Sequence, residues 1–428
     1  MRDHSRHIEF SRSKAVDAMV EAAAFPVIEE LPESNIEMAR LSEAFGRVLA
    51  RDVCSEVDVP SCLTCCMDSV AVHWSDFEGG KVPDTSQWMR GVDWQFANTG
   101  IAMPEGFDTA VVIENVEVSE DEQSIVIKVA PSARFAGTRP AGEKLQRGAR
   151  IAKAGTAITP GIAASIASGN ISCVPVVRRP RVAFIPTGNE LVPAGLPYAE
   201  GRSFAGFERN VETNSLLVQG KVRAWGGECQ CFDIVPDDPE LIRKAIKRAC
   251  AIADVVVLNA GSSKGSDDWS VEQMELLGQV FYHETNHGPG HHSSFAMVDD
   301  VPVVGISGPS GGASFTLDFY LRPLLQAFLG QEVKPRYAHA VLVGEFAAHK
   351  HPGKPKGEQR PSVVQDGREF FGVKPVKLVL GEDGVLRAAP LQGKPGSASA
   401  LDANALYMLS SRPEEAPAVG DVIRVELI

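Results

Sequence analysis

Apolar and polar positions change period several times along this chain. Val16, Met19, Val20 and Ala23 recur at helical spacing, and a second amphipathic stretch covers Met38 to Leu49, so the chain is expected to begin with helices. From Val70 onward the period shortens. Ala71 to His73, Thr109 to Ile113 and Ser124 to Val129, separated by Gly, Pro and Asp, read as strands of a small β-rich insertion. Gly148 to Val177 reads as a strand, a Pro-initiated helix and a Gly stop, followed by an extended basic hinge at Arg178 to Pro180.

Beyond that hinge strands and helices alternate. Strands are expected at Val182 to Pro186, Glu228 to Ile234, Val255 to Asn259, near Val280 to Tyr282, Phe295 to Val298 and Val303 to Ile306. Helices are expected at Asn214 to Trp225, Pro239 to Ala253, Val271 to Leu277 and Ser314 to Leu329. Such alternation predicts a largely parallel α/β sheet with helices on both faces, whose ligands sit at the carboxyl ends of the strands. After Pro335 short strands return at Ala340 to Val343, Lys377 to Leu380, Val385 to Ala388, Leu406 to Leu409 and Val422 to Ile428, a pattern that fits a small β-barrel. Between them His349 to Pro361 is polar and rich in Lys, Gly and Pro, the composition of a surface loop. The expected division is 1–60 with 138–178 as an elongated linker domain, 61–137 as the β-rich insertion, 179–332 as the α/β domain and 333–428 as the barrel. The fold class is therefore multidomain α/β and β.

Length agrees, since 428 residues exceed one ordinary core and suit about two to four domains. A net charge of −13, from 42 Lys and Arg against 55 Asp and Glu, opposes non-specific attraction to nucleic acid or anionic membrane, so no nucleic-acid partner is expected. No run of about 18 apolar residues suggests a membrane span, and the charged N-terminal stretch lacks a signal-peptide core, which together point to a cytoplasmic protein. Eight cysteines are too sparse for a disulfide scaffold. Cys62, Cys65 and Cys66 form a C-x-x-C-C cluster that can ligate a soft metal, but no second Cys or Cys/His pair follows at zinc-finger spacing.

Val255 to Trp269 is the richest stretch for chemistry. An apolar strand runs directly into Gly261, Ser262, Ser263, Lys264 and Gly265, where backbone N–H groups, hydroxyls and one cation can cradle a phosphate; the plain alternative is an ordinary strand-to-helix turn. Asp267 and Asp268 close this loop, and one of them can simply cap the next helix. Thr187, Gly188, Asn189 and Glu190 end the first strand of the same sheet, and parallel order would bring them beside the Gly/Ser loop.

Several motifs in one order resemble those of the MoeA-like family, which includes gephyrin E-domain-like proteins. Arg179 to Val192 resembles its strand and T-G-D-E-L motif, Thr213-Asn214-Ser215 its S-N segment, Asp237-Asp238-Pro239 its D-D-P, and Gly261 to Trp269 its Gly-rich loop. Met67-Asp68 with Ala71-Val72 resembles M-D-G-Y-A-V, and Thr99-Gly100, Pro104, Gly106, Asp108 and Glu114 resemble a further element. The resemblance implies a MogA-like molybdopterin-binding α/β domain, a homodimer, and insertion of molybdate or tungstate into adenylylated molybdopterin with Mg²⁺ and release of AMP. A MogA-like adenylyltransferase is the implied supplier. Carried over by motif, Asp268, Glu190 and Asp238 would be catalytic, with Asp68 and Thr99 arriving from the partner. Glu190 and Asp238 would hold Mg²⁺. Thr187, Gly188, Asn214, Ser215, Gly261, Ser262, Ser263, Lys264, Gly265, Pro289, Gly290, His291 and Ser399 would contact the pterin nucleotide or the oxyanion.

The resemblance is divergent on the oxyanion side. Where the family has K-P-G-K-P this chain reads Gly288-Pro289-Gly290-His291-His292, and its G-L-P-G-N-P-V-S turn becomes Gly305 to Gly312 with two prolines lost and Gly312 in place of a serine. Two Lys replaced by Gly and His remove up to two positive charges at pH 7. Lys264 is the internal candidate to compensate. His283, His287, His291 and His292 form H-x3-H-x3-H-H, open to a structural role, anion contact or metal binding. Two functions are therefore carried forward: a molybdopterin molybdenumtransferase, and a degenerate paralogue that binds molybdopterin or its nucleotide without metal insertion.

Overall fold

The computed structural model describes residues 9–195, 210–260, 269–346, 370–391, 402–412 and 415–428. They form two compact units, one of residues 28–177 and one that joins the stretch up to Val27 to residues 178–428.

In the first unit, strand Ile36–Arg40 pairs antiparallel with Cys173–Val177, and a short 3₁₀ turn follows at Leu41–Glu43. The helix expected over Met38 to Leu49 is therefore absent. Its period was apolar by accident: Met38 and Phe45 face solvent, Gly46 takes a left-handed φ of 74°, and the strand's backbone finds its partners more than a hundred residues away. Arg47 fixes that pairing by donating to the Val177 carbonyl at 2.8 Å and to Glu37 at 2.6 Å. Helix Pro160–Ser168 forms as its signals require, with the Thr159 hydroxyl accepting from Ile162 N–H and Pro160 in the first turn. The β-rich part is a three-stranded antiparallel sheet with Ser69–Val72 in the centre, flanked by Trp94–Ala97 and Thr109–Val112, plus a hairpin of Val116–Val118 with Ile125–Ile127. Val70, Val72, Trp94, Val111, Ile125 and Ile127 are its core.

The second unit is built on a six-stranded sheet in the order Glu228–Cys231, Arg181–Ile185, Val255–Ala260, Val301–Ser307, Ser294–Val298 and Gln279–Tyr282. The first four strands are parallel and the last two antiparallel. Val182 to Ile185 and Val255 to Leu258 are buried on both faces, which explains why their sequences read as unbroken apolar runs. One face packs Val182, Phe184, Val255 and Val257 against helix Asn214–Ala224 and a helical stretch from Ser310 to Phe328; the other packs Ala183, Ile185, Val256 and Leu258 against helices Pro239–Cys250 and Ser270–Leu277. The stretch from Ser310 is not the single helix expected at Ser314 to Leu329, because a π-turn at Leu317–Leu321 separates Ser310–Thr316 from Arg322–Phe328.

Helix Arg12–Ala23 belongs to this unit and not to a domain shared with residues 28–60. Its buried face, Ala15 and Met19, lies in the same core as Tyr282, Phe295 and Phe319. Arg12 pairs with Glu426 through two bonds of 2.5 and 2.6 Å and stacks over the Phe319 ring at 3.6 Å. Both contacts lie far along the chain, so no local pattern announces them. Strands Tyr337–Leu342, Phe371–Leu380, Leu386–Pro390, Ala405–Ser410 and Val422–Leu427 close into a five-stranded barrel, as their turn-separated runs predict. Among the described residues no helix is long and apolar enough to cross a membrane.

Asp254 anchors the start of strand Val255–Ala260. It accepts two bonds from Arg178 at 2.7 and 2.8 Å and one from the Arg181 N–H at 2.7 Å. Burial alone would raise its pKa, but these bonds from Arg178 and Arg181 more than offset it and hold the carboxyl below its usual value. A depressed folded pKa contributes stability above the unfolded value of about 3.9 that is lost as pH falls through the folded one. Asp254→Asn is therefore expected to lower the urea midpoint at pH 7 and to cost progressively less below about pH 4. An equal deficit at both pH values would contradict the assignment.

Candidate functional site

The chain leaves strand Arg181–Ile185 for the edge strand Glu228–Cys231 on one side, then crosses to Val255–Ala260 on the other. The connecting helices Asn214–Ala224 and Pro239–Cys250 lie on opposite faces, the topological switch point at which open α/β sheets place a ligand crevice above the carboxyl ends of their strands. Parallel register sets Ile185 beside Leu258. The turn Thr187 to Glu190 and the end of strand Val255–Ala260 are thus neighbours, as expected. Gly261, Ser262, Ser263, Lys264, Gly265, Asp267 and Asp268 follow that strand directly but lie outside the described residues, as does Ser399.

A buried polar network ties the strand ends together. The Thr187 hydroxyl donates to the Asn259 carbonyl, and Asn259 Nδ2 makes a long 3.4 Å contact to the Thr187 carbonyl. Asn214 Nδ2 donates to Asn259 Oδ1 and to the Gly308 carbonyl, both at 2.8 Å. Thr187, Asn214 and Asn259 are each almost wholly buried. Asn214 Oδ1 and Ser307 Oγ are buried at the same strand ends without a partner among the described residues. Buried polar atoms of this kind carry a desolvation cost unless something meets them.

The turn itself is held from below. Gly188 N–H donates to the Val235 carbonyl at 3.1 Å, and Asn189 and Asp237 exchange two bonds: Asn189 N–H to Asp237 Oδ2 at 2.8 Å and Asp237 N–H to Asn189 Oδ1 at 3.2 Å. Gly188 has φ 144°, and a Cβ there would sit 2.7–2.9 Å from the Glu190 carboxylate, so only glycine lets that carboxylate fold back over the turn. Glu190 is exposed at this position. Asp238 is placed differently from Glu190. One of its oxygens caps helix Pro239–Cys250 by accepting from the N–H groups of Glu240 and Leu241 at 2.9 Å, and Asp237 is the residue that reaches the turn. Ser215 lies in the first helical turn beyond Asn214, its N–H donating to Glu212 at 2.9 Å.

The segment around Pro289 packs on helix Ser310–Thr316. A Cβ at Gly290 would lie 3.1 Å from the Gly312 carbonyl, and one at Gly312 would lie 2.3 Å from Ser307 Oγ. Glycine at 312 thus makes room for the Ser307 hydroxyl, which stands where the MoeA-like turn has proline. Ser293 donates to the Gly290 carbonyl at 2.5 Å and lies 3.1 Å from the Thr316 hydroxyl, closing the contact. The four histidines do not act as one cluster. His287 is fully buried, with Nε2 2.7 Å from the Tyr320 hydroxyl; burial, reinforced by the nearby Arg12 charge, pushes its pKa down to about 3, so it is a neutral packing residue and not an anion donor. His291 and His292 have ring centroids 3.7 Å apart, and His292 Nδ1 is 3.8 Å from a Glu284 oxygen. Among the described residues no three His, Cys, Asp or Glu side chains are grouped to hold a metal ion.

In the other unit, Asp68 and Thr99 come together although 31 positions separate them. Asp68 Oδ1 accepts from Thr99 N–H at 2.9 Å and from its hydroxyl at 3.0 Å. These two bonds, the backbone one foremost, hold the exposed Asp68 carboxyl below its usual pKa. Asp108 accepts similarly from Trp74 N–H, the Thr109 hydroxyl and Arg134.

A switch-point α/β sheet with a polar crevice, carried in one chain with a β-rich unit and a closed barrel, defines a multidomain α/β protein of the kind that receives small ligands at its strand ends. Residues 11–169 match the MoeA N-terminal region (domain I and II), and residues 183–327 match a probable molybdopterin binding domain. The chain belongs to the MoeA-like family. It is 27% identical to the molybdopterin molybdenumtransferase of Haemophilus influenzae over 78% of this chain and 83% of the relative, and 26% identical to that of a Nostoc species over 70% of each. Two solved MoeA proteins from Pyrococcus horikoshii share the fold with TM-scores of 0.72 and 0.69, at 23% and 21% identity, covering 98% of this chain and 99% and 100% of theirs.

Asn259 was not among the residues expected from sequence, and Asp237, Ser307 and Gly308 entered only within motifs, with no contact assigned to them. The signal for Asn259 was a polar residue ending the apolar run Val255 to Leu258. Replacing Asn259 by Ala removes the acceptor of a buried amide, and is expected to cost about 1–3 kcal/mol in urea unfolding. A loss below about 0.5 kcal/mol, the range of an ordinary surface change, would show that the network does not hold the strand ends.

Proposed function

We propose that this protein acts in molybdenum cofactor biosynthesis as a molybdopterin molybdenumtransferase, inserting molybdate or tungstate into adenylylated molybdopterin with release of AMP. The observation that carries this reading is the crevice, where the Thr187 to Glu190 turn and the strand leading into the Gly/Ser loop are joined through Asn259. It is supported by relatives that bear the transferase name. In this reading the backbone N–H groups and hydroxyls of Gly261 to Gly265 receive phosphate oxygens, and Lys264 supplies positive charge near the oxyanion. Asn214 Oδ1 and Ser307 Oγ are available to polar groups of the pterin nucleotide.

Mg²⁺ is usually held by one or two carboxylates together with substrate phosphates, and the exposed Glu190 at the turn suits that arrangement, with the oxygen of Asp238 left over from capping as a second donor. Bound there, the ion would neutralise phosphate charge. Asp268 takes the role of base for the water that cleaves the adenylate. A second copy of the chain would complete the site by presenting its Asp68 and Thr99, whose mutual bonds pre-order an ionised carboxylate. A MogA-like adenylyltransferase would supply the activated pterin.

One observation favours the second reading, a paralogue that binds the pterin nucleotide without inserting metal. Where two lysines would grip the oxyanion stand Gly288 and His291, and the adjacent His292 faces the Glu284 carboxylate at 3.8 Å. Incubation with adenylylated molybdopterin, Mg²⁺ and molybdate separates the two. The transferase reading expects AMP and active cofactor, with AMP release slowed about 10²–10⁴-fold in Asp268→Asn. Tight nucleotide binding with neither product would establish the binding protein instead.

A further inference from the structure

The edge strand Glu228–Cys231 carries two cysteines two residues apart, and the strand period turns both onto one face, where they pack with the core under helix Asn214–Ala224. Both are half-buried. Their Sγ atoms are 3.9 Å apart, and Cys231 Sγ lies 3.8 Å from the Ser215 carbonyl oxygen. A hydrogen bond from Cys229 draws the Cys231 thiol down to about 7, while the Cys229 thiol is raised by the same partnership. One of the two sulfurs is thus readily ionised near neutral pH.

The strand opposes joining these sulfurs to each other. Alternate residues of an extended strand have Cα atoms about 6.6–6.8 Å apart, the far end of what a disulfide spans, and the ladder with Arg181 to Phe184 holds this strand extended. A bridging centre is easier to fit. Two bonds of about 2.3 Å to one soft atom span 3.9 Å at an angle of about 115°. A linear centre would need the sulfurs about 4.6 Å apart, whereas a pyramidal three-coordinate centre takes them at about 3.5 Å, a small side-chain closure from the 3.9 Å seen. Structural zinc takes four protein ligands, and among the described residues no third or fourth His, Cys, Asp or Glu joins the pair. Two sulfurs without nitrogen or oxygen ligands select a soft centre.

We propose that Cys229 and Cys231 form a bidentate dithiol site for a soft, three-coordinate thiophilic centre of the trivalent arsenic class, which takes two sulfurs and keeps its third substituent. With a monosubstituted arsenic(III) dihydroxide, two As–S bonds replace two As–O bonds. Both thiol protons leave with the two hydroxides as two waters, and arsenic stays trivalent, so no oxidant is required. Occupancy removes the thiol proton that Cys231 donates to the Ser215 carbonyl, in the first turn of the helix whose Asn214 is tied to Asn259 and Gly308. The site therefore lies one turn from the crevice network.

The test uses the full chain with phenylarsine oxide, followed by maleimide labelling and trypsin. Cleavage after Arg223 and Arg243 gives the peptide Ala224 to Arg243, which contains Cys229, Cys231 and no other cysteine. The expected result is loss of labelling of both thiols in this peptide, resistant to excess monothiol and restored by a dithiol. Cys229→Ser and Cys231→Ser should each lose that dithiol-reversible adduct. Labelling of this peptide at the same rate with and without arsenical would overturn the proposal, as would an adduct confined to peptides carrying Cys62, Cys65 and Cys66. The protection measurement uses the unmodified protein, so it stands even where a variant fails to fold.

Discussion

A parallel sheet ends its strands in a row of backbone groups that have no further ladder to join, and here the side chains of Asn259 and Asn214 take over where the ladder stops. Through them the exits of three adjacent strands, at Thr187, Asn259 and Gly308, share one set of buried hydrogen bonds. Apart from Asp238, which caps helix Pro239–Cys250, every group proposed to meet the substrate within this unit projects from one of those exits or from the helix that begins at Asn214. The geometry of the crevice therefore depends on two amides that touch no reacting atom. Burial makes them consequential, since an amide in a dry environment is worth most when paired and costs most when not.

The divergent side of the site is packed as well as altered. Gly312 accepts the Ser307 hydroxyl where a Cβ would collide with it, and Gly290 brings its backbone close to the Gly312 carbonyl. The segments 288–292 and 305–312 thus meet at one contact. What is lost is positive charge, while the acidic and hydroxyl groups of the Thr187 to Glu190 turn keep their support. Both proposed readings, insertion with an altered oxyanion preference and binding without insertion, start from that imbalance.

Most of the architecture was legible from the chain. Runs such as Val255 to Leu258 carry the apolar continuity that burial on both faces demands, and Thr159-Pro160 and Asp238-Pro239 mark helix starts by local chemistry. The failures have a common physical origin in distant pairing. Residues 38–49 look helical until Cys173–Val177 supplies a ladder, and helix Arg12–Ala23 joins the later unit because Glu426 and Phe319 receive Arg12. Motif spacing brought Glu190 to attention in the crevice, and Asp68 with Thr99 in the other unit, but said nothing of Asn259, whose role exists only once three strand ends are side by side. Asp238 has local donors instead: the N–H groups of Glu240 and Leu241 engage one of its oxygens as a helix cap and leave the other open.

Hydrogen–deuterium exchange of the full chain with and without adenylylated molybdopterin tests the central claim most directly, because it reads where the nucleotide rests without requiring turnover. The account predicts slowed exchange together at residues 186–190, 259–268 and 307–312. Protection absent from these strand ends, or confined to the barrel strands from Tyr337 onward, would contradict it.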